Sequence, residues 1–348
     1  MISLKHIENT IHIIPKNDAI SALNGGILSF FQARYLAGNE SLRKYRKISR
    51  QQLALVSSEV IRMKEPYNLL IQIKNYIATE DFLYKKKEIT LNDLLYANRV
   101  LTPENKFSGK IRKVDARVGG SNLSDAKYIC PEPLELPTLL EELLDFINDE
   151  CTKLESKLII SYVRLQDIHP FYDGNGRTAR ALLGALLKKN FGLYINPILY
   201  RLHSKASKKE EDEYIHALYS LRKVSTKTPF YHPFWQESIT WATEMQSALN
   251  QVILDTQNEI QSALMFKDIC AQTKLLIDYL WRQPVVCEEG LCKKFGWHES
   301  IIQKTIRELI QLNILVPKKL RSVAGVVVYS CPMIFAAWQQ MDDIIFER

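Results

Sequence analysis

Ile168-His169-Pro170-Phe171-Tyr172-Asp173-Gly174-Asn175-Gly176-Arg177-Thr178-Ala179-Arg180 combines a turn, a helix start and the groups of a phosphate site within thirteen residues. Gly174-Asn175-Gly176 sets three small or left-handed-tolerant residues directly before a strongly amphipathic run. Backbone N–H groups there converge with a helix N-terminus into an anion site. Arg177 and Arg180 lie one helical turn apart, so both guanidinia are expected to face the same phosphates. Asp173, at the mouth of this site, is the candidate carboxylate for a Mg²⁺ bridging phosphate oxygens. His169 is the candidate proton acceptor. A capped helix start with a solvated His and two Arg is the competing reading. The convergence of base, carboxylate, glycine turn and two arginines argues against it.

Working outward, most long segments carry apolar residues at helical spacing: 20–34, 50–63, 69–82, 91–100, 136–147, 156–167, 177–191 and 234–266. Pro137 sits at a tolerated N-terminal helix position and Gly192 at a natural C′ position. Between Gly109 and Pro133 the pattern alternates around Gly119-Gly120, which predicts a short hairpin. From Met265 the order is helix, then helix-turn-helix over 288–312, then two β-prone runs, Ile314–Val316 and Val326–Tyr329, flanking a basic turn. That is the arrangement of a winged helix. The reading is thus an all-α fold with a β-hairpin, followed by a smaller α+β unit. The expected divisions are 1–100, an N-terminal helical region, 101–264, a catalytic core, and 265–348, the winged unit.

The central stretch resembles, position for position, the HPFx(D/E)GNGRxxR signature of the Fic family. The likeness extends to Phe107–Arg112 and Pro131–Pro137, which resemble the family's flap and the segment after it. It also covers Pro197–Tyr200 and Glu213–Leu218, similar to PLLYLS and YYxxLxxV segments. The resemblance implies a helical Fic fold that transfers AMP from ATP to a Ser, Thr or Tyr hydroxyl of a target protein and releases pyrophosphate. It implies His169 as base, Asp173 as Mg²⁺ ligand, and Gly174, Asn175 and Gly176 around the α-phosphate. Arg177 would take the β-phosphate, Arg180 the γ-phosphate, and Tyr214 would stack on adenine. The flap, with Lys110 and Arg112 outward and Ile111 between them, would dock an extended target segment by strand addition.

Two departures matter. Many relatives carry (S/T)xxxE(G/N) on a regulatory helix, whose Glu blocks the γ-phosphate arginine. Aligned on Ser57 and Ser58, that Glu is replaced here by Ile61 and the following Gly by Arg62. The brake is then lost or relocated to Glu59 or Glu65. The second Tyr of the adenine segment is replaced by Ile215. Tyr231-His232-Pro233-Phe234-Trp235 repeats the HPF triplet with no glycine turn behind it, and reads as helix-start packing.

Three alternatives stay open at this level. One is another transfer on the same site: AMP removal, phosphorylation or phosphocholine transfer. A second is a winged-helix DNA-binding regulator with a nucleotide-sensing domain, using Gln303, Lys304 and Arg307 with Lys318, Lys319 and Arg321. A third is protein docking through the winged unit; a second copy of the chain is also a candidate partner. From Met265 onward the balance is only +2, with 11 basic and 9 acidic residues, which is poor for phosphate-driven DNA affinity.

Over the 348 residues, 46% are apolar and 24% charged, which excludes a mainly disordered chain. A net charge of +7 is compatible with polyanionic partners without demanding one. No apolar run reaches the ~18–20 residues of a membrane span. The first residues show no secretory signal, so a cytoplasmic location is expected. None of the six cysteines forms a C-x-x-C pair, so reduced and mostly buried thiols are expected rather than a zinc site.

Overall fold

The computed structural model describes residues 54, 68–119, 124–126, 128–151, 154–200, 213–218, 233–265, 267–318 and 327–346. These residues are mostly helical. The described residues divide into two compact units, one comprising those from 75 to 243 and the other residue 54 with those from 68 to 74 and from 244 to 346.

The helices of the first part are α1 (Asn68–Tyr84), α2 (Leu91–Leu101), α3 (Leu136–Asn148), α4 (Leu154–Ile168) and α5 (Asn175–Phe191). Thr90 caps α2 reciprocally: its Oγ1 accepts from Asp93 N, and Asp93 Oδ2 accepts from Thr90 N at 3.0 Å. On α4, Leu158, Ile159, Ile160, Tyr162, Val163, Leu165 and Ile168 are all fully buried. On α5, Ala179, Ala181, Leu182 and Leu183 are as well. Helices apolar on nearly every side belong at the centre of a bundle. Accordingly α4 packs on α5 and α3, and α5 also packs on α2. Gly192 ends α5 in the left-handed region at φ 61°, as its position predicts. The two central helices are joined by residues 169–174, so the motif loop is anchored at both ends in the core.

The predicted hairpin is short. Strand β1 (Arg117–Val118) pairs antiparallel with β2 (Tyr128–Ile129), Arg117 opposite Ile129 and Val118 opposite Tyr128. Residues 110–114, expected to form its first strand, contribute a single bridge, Ile111 with Phe171.

The long helix α6 (Pro233–Leu264) precedes α7 (Ala271–Leu280), β3 (Val285–Val286), α8 (Glu288–Phe295), α9 (Glu299–Gln311), β4 (Val316–Lys318), β5 (Val328–Ser330) and α10 (Pro332–Phe346). The three strands form an antiparallel sheet in the order β3-β5-β4. Leu276, Leu280, Leu291, Ile302, Ile306, Leu309, Ile314 and Leu315 are buried among these elements. Among the described residues no helix is long and apolar enough to cross a membrane. All six cysteines are free thiols; Cys130, Cys287 and Cys331 are buried, Cys270 and Cys292 half-buried and Cys151 exposed, so the expected burial holds fully for three of the six.

Candidate active site

The site is assembled where α4 ends and α5 begins. His169 follows the last residue of α4 with φ 48°, a left-handed conformation uncommon for a residue with a side chain. Its N–H still closes on Leu165 O at 3.2 Å. Nδ1 lies 3.3 Å from Gln166 O; a carbonyl only accepts, so Nδ1 carries the proton and Nε2 is left as the acceptor. Burial pulls the imidazole pKa below its ordinary value. The Gln166 carbonyl opposes this, the Arg112 charge adds to it, and Asp173 opposes it. The ring is therefore neutral at pH 7, as a base must be.

The loop after it is held by side chains acting on backbone. Asn175 Nδ2 donates to Phe171 O at 2.9 Å and its Oδ1 accepts from Phe171 N at 2.9 Å. Asn175 is 3% exposed. Its amide group is committed to the loop, which corrects the expectation that it reaches the α-phosphate; only its backbone N–H is available for that.

Gly174 caps α5 at φ 79°, and a Cβ there would lie 2.4 Å from Thr102 Cγ2. Glycine is required on both counts. At Gly176 a Cβ would lie 3.0 Å from Arg180 Nη1, so the missing side chain lets that guanidinium lie across the first turn of α5. The amides of Asn175, Gly176 and Arg177 have no helical carbonyl four residues back, and the positive end of the helix dipole points the same way. Arg180 Nε and Gln166 Nε2 are buried, with no hydrogen-bond partner among the described residues. Buried donors left open beside a helix N-terminus fit an anion.

The two arginines do not act alike. Arg177 is 6% exposed; its Nη1 donates to Leu101 O at 2.6 Å and its Nη2 to Asp173 Oδ2 at 2.9 Å. It braces α5 against the end of α2, whereas half-buried Arg180 is the guanidinium over the helix start. The spacing that suits both to one phosphate group does not register that α2 offers Arg177 an unsatisfied terminal carbonyl.

Asp173 keeps its side chain 42% exposed, and its Oδ1 also accepts from Gly174 N at 2.6 Å. Among the described residues no three His, Cys, Asp or Glu side chains gather as a metal cage. One accessible carboxylate fits Mg²⁺, which takes most of its ligands from phosphates and water.

Arg112 overturns part of the flap expectation. It is 2% exposed rather than outward. Nε donates to His169 O at 2.8 Å, Nη1 to Val114 O at 2.9 Å, and Nη2 to Pro131 O at 2.6 Å and Ile168 O at 3.4 Å. Four carbonyls surround a guanidinium, a stable way to bury a cation. Lys110 is exposed and Ile111 half-buried, in accord with a surface segment.

Tyr214 is also corrected. It is 4% exposed, its hydroxyl lies 2.7 Å from Tyr162 Oη, and its ring packs against Phe234 and Trp235. It is a core residue with no open face for adenine. Phe234 and Trp235 themselves are buried at the start of α6, as expected of the second HPF triplet. The degenerate inhibitory segment, Ser57, Ser58, Ile61 and Arg62, lies outside the described residues.

Sequence reasoning missed Asn98. At 1% exposure on α2, its Nδ2 donates to Asp173 O at 2.8 Å and Thr178 Oγ1 at 3.3 Å, and its Oδ1 accepts from Gly109 N at 2.9 Å. One side chain ties the flap base, α2 and the glycine turn together. An Asn inside an otherwise apolar helical stripe is the signal that could have found it.

The Fic/DOC family model matches residues 88–187, which contain this whole arrangement. The protein adenylyltransferase Fic of Drosophila willistoni is 29% identical over 171 residues, covering 46% of this chain and 32% of that protein. Its counterpart in Drosophila melanogaster is 29% identical over 192 residues, covering 50% and 37%. The chain thus spans about a third of the length of these curated relatives. A crystal structure of a Fic family protein from Desulfovibrio desulfuricans aligns with a TM-score of 0.45 and 16% identity, covering 89% of this chain and 87% of that one.

Proposed function

We propose that this chain, a Fic family protein, is a protein adenylyltransferase that transfers AMP from ATP to a hydroxyl side chain of a target protein. The observation that carries the reading is the pairing of a neutral His169, its Nε2 free to accept, with the open donors at the start of α5. In this reading the triphosphate lies over the amides of Asn175, Gly176 and Arg177, with Arg180 and Gln166 supplying further donors. The target hydroxyl gives its proton to His169 Nε2 as its oxygen attacks the α-phosphorus. The bond to the bridging oxygen breaks and pyrophosphate leaves. Mg²⁺, when bound, neutralises phosphate charge; Asp173 would hold it. The other residues position: Arg177 fixes Asp173, Asn175 and Arg112 fix the loop, and Asn98 fixes the glycine turn. Lys110 and Ile111 remain the proposed docking edge for the target segment.

The test is labelling with ATP tagged on the α-phosphate, with Mg²⁺ and lysate, comparing wild type with His169→Ala. We expect label on protein with wild type and its loss in the variant, with ATP binding retained. A variant that labels as well as wild type overturns the assignment. Label carried by γ-tagged rather than α-tagged ATP points to phosphorylation instead.

The unit formed by α7 to α10 is read as a winged helix, supported by its helix order and the β3-β5-β4 sheet. Its surface favours protein docking over DNA. Gln303 Nε2 is engaged by Glu299 at 2.9 Å and Glu288 at 3.2 Å, Arg307 Nε by its own helix at Gln303 O, and Lys304 pairs with Glu308. A recognition helix flanked by carboxylates repels phosphate. A cytoplasmic location and self-association belong to the same proposal.

A further inference from the structure

A second cavity lies at the far ends of the helices that carry the motif. It has a volume of about 310 Å³, within the range of small-ligand sites. Leu83, Ile89, Ile147, Ala185 and Leu186 give it an apolar floor. Ala185 to Asn190 lie eight to thirteen residues beyond Arg177 on α5, roughly 12–20 Å along the axis, so this is not the nucleotide site.

Three of its polar side chains are committed. Asn148 exchanges both amide hydrogen bonds with Ile89, donating at 2.9 Å and accepting at 3.0 Å. Lys189 Nζ donates to Lys86 O at 2.7 Å and Lys87 O at 3.0 Å, and Asn190 Nδ2 donates to Leu186 O at 2.9 Å. Lys157 differs. It lines the cavity at 8% exposure and makes no hydrogen bond or ion pair among the described residues. Its ammonium is pulled below the usual lysine pKa by burial, against the opposing charges of Asp149 and Glu150. The residue is nine-tenths buried, and no carboxylate or carbonyl among the described residues engages its ammonium, which leaves that charge open to an anion in the cavity.

We propose that this cavity binds a short aliphatic monocarboxylate, its carboxylate on Lys157 Nζ and its chain on the apolar floor. A single negative charge is specified because the exposed rim cations Lys87 and Lys189 are matched by the exposed carboxylates Glu88 and Glu150, which leaves Lys157 as the one charge to be met. An aliphatic tail is specified because no lining group on the floor has a polar atom to offer it. The inference stands on this cavity alone and is independent of AMP transfer.

The test is calorimetric titration of the full chain with hexanoate, acetate and 1-hexanol. Hexanoate should bind at one site per chain, with acetate and hexanol each at least tenfold weaker, since each lacks one half of the match. Lys157→Met keeps the stem and removes the charge, and should weaken hexanoate at least tenfold without lowering thermal stability. Lys157→Gln provides the same comparison if the Met variant unfolds. No hexanoate binding to wild type, or equal binding to the folded variant, overturns the proposal. Hexanol equal to hexanoate also overturns it, since the site would then be merely apolar.

Discussion

The guanidinium of Arg112 donates to the carbonyl oxygen of His169 at 2.8 Å, holding the one residue of the motif loop that carries both the base and a left-handed backbone. The same guanidinium serves three more carbonyls, all of them outside the loop. Replacing it reaches the base without touching any substrate atom.

Arg112→Gln removes that charge and most of the fork. Orphaning several buried carbonyls should cost about 2–4 kcal/mol of stability. Because the Arg112 charge lowers the His169 pKa, its loss raises that pKa, and the acid limb of the labelling rate should move to higher pH. Arg112→Lys should restore the pH profile more than the stability. An unmoved acid limb in a folded Arg112→Gln variant would show that Arg112 and His169 are not coupled.

Gly174→Ala meets two obstacles, a positive φ and a Cβ 2.4 Å from Thr102 Cγ2. Together they should destabilise the fold by about 2–4 kcal/mol. Adding Thr102→Ser removes the clashing methyl but keeps the hydroxyl that donates to Asn98 O. Denaturant unfolding of the two variants should show partial rescue, leaving the backbone part of the cost. Full rescue would mean the φ contributes nothing.

Glu80 on α1 is 3% exposed, and burial raises its pKa to about 8, opposed by Lys188. A carboxyl with a folded pKa above its unfolded value of 4.5 favours the native state most when protonated. Its contribution to stability therefore falls as pH rises from about 4.5 towards 8 and is flat above that. Glu80→Gln should be neutral near pH 4 and stabilising by up to about 3 kcal/mol at pH 7. Melting temperatures measured across pH 4–8 check both the sign and the window.

The fourth prediction follows from the family likeness at Ser57 and Ser58. With Ile61 in place of the blocking Glu, wild-type protein should label itself without an activating substitution. Ile61→Glu with Arg62→Gly should create a competitor for Arg180. A charge-assisted pair of roughly 1.5–3 kcal/mol lowers productive ATP binding about tenfold or more. Parallel melting curves separate this from simple unfolding. Wild type that is silent until Glu59 or Glu65 is replaced would locate the brake there.

The glycine turn, the start of α5, His169 and most helix boundaries were legible because they depend on local rules: φ-permissive residues, caps and 3.6-residue periodicity. Arg112, Arg177 and Tyr214 were misread because their surroundings come from distant segments. Nothing near Arg112 in the chain announces the carbonyls of Pro131, Ile168 and His169. The family resemblance assigns Tyr214 to adenine, and its hydroxyl neighbour Tyr162, on a helix 52 residues earlier, is invisible to a local motif. Asn98 went unnoticed for the same reason: its partners at Gly109, Asp173 and Thr178 become visible only when α2 packs on α5.

Asn175 holds Phe171 through both backbone groups, much as a neighbouring strand would. Its calorimetric consequence concerns order. Fixing a residue's backbone costs about 1–2 kcal/mol in conformational entropy. For the segment between α4 and α5 this loss falls at folding rather than at nucleotide binding. Nucleotide association should then show the small heat-capacity change of a rigid site, rather than the large one of a loop that orders around its ligand.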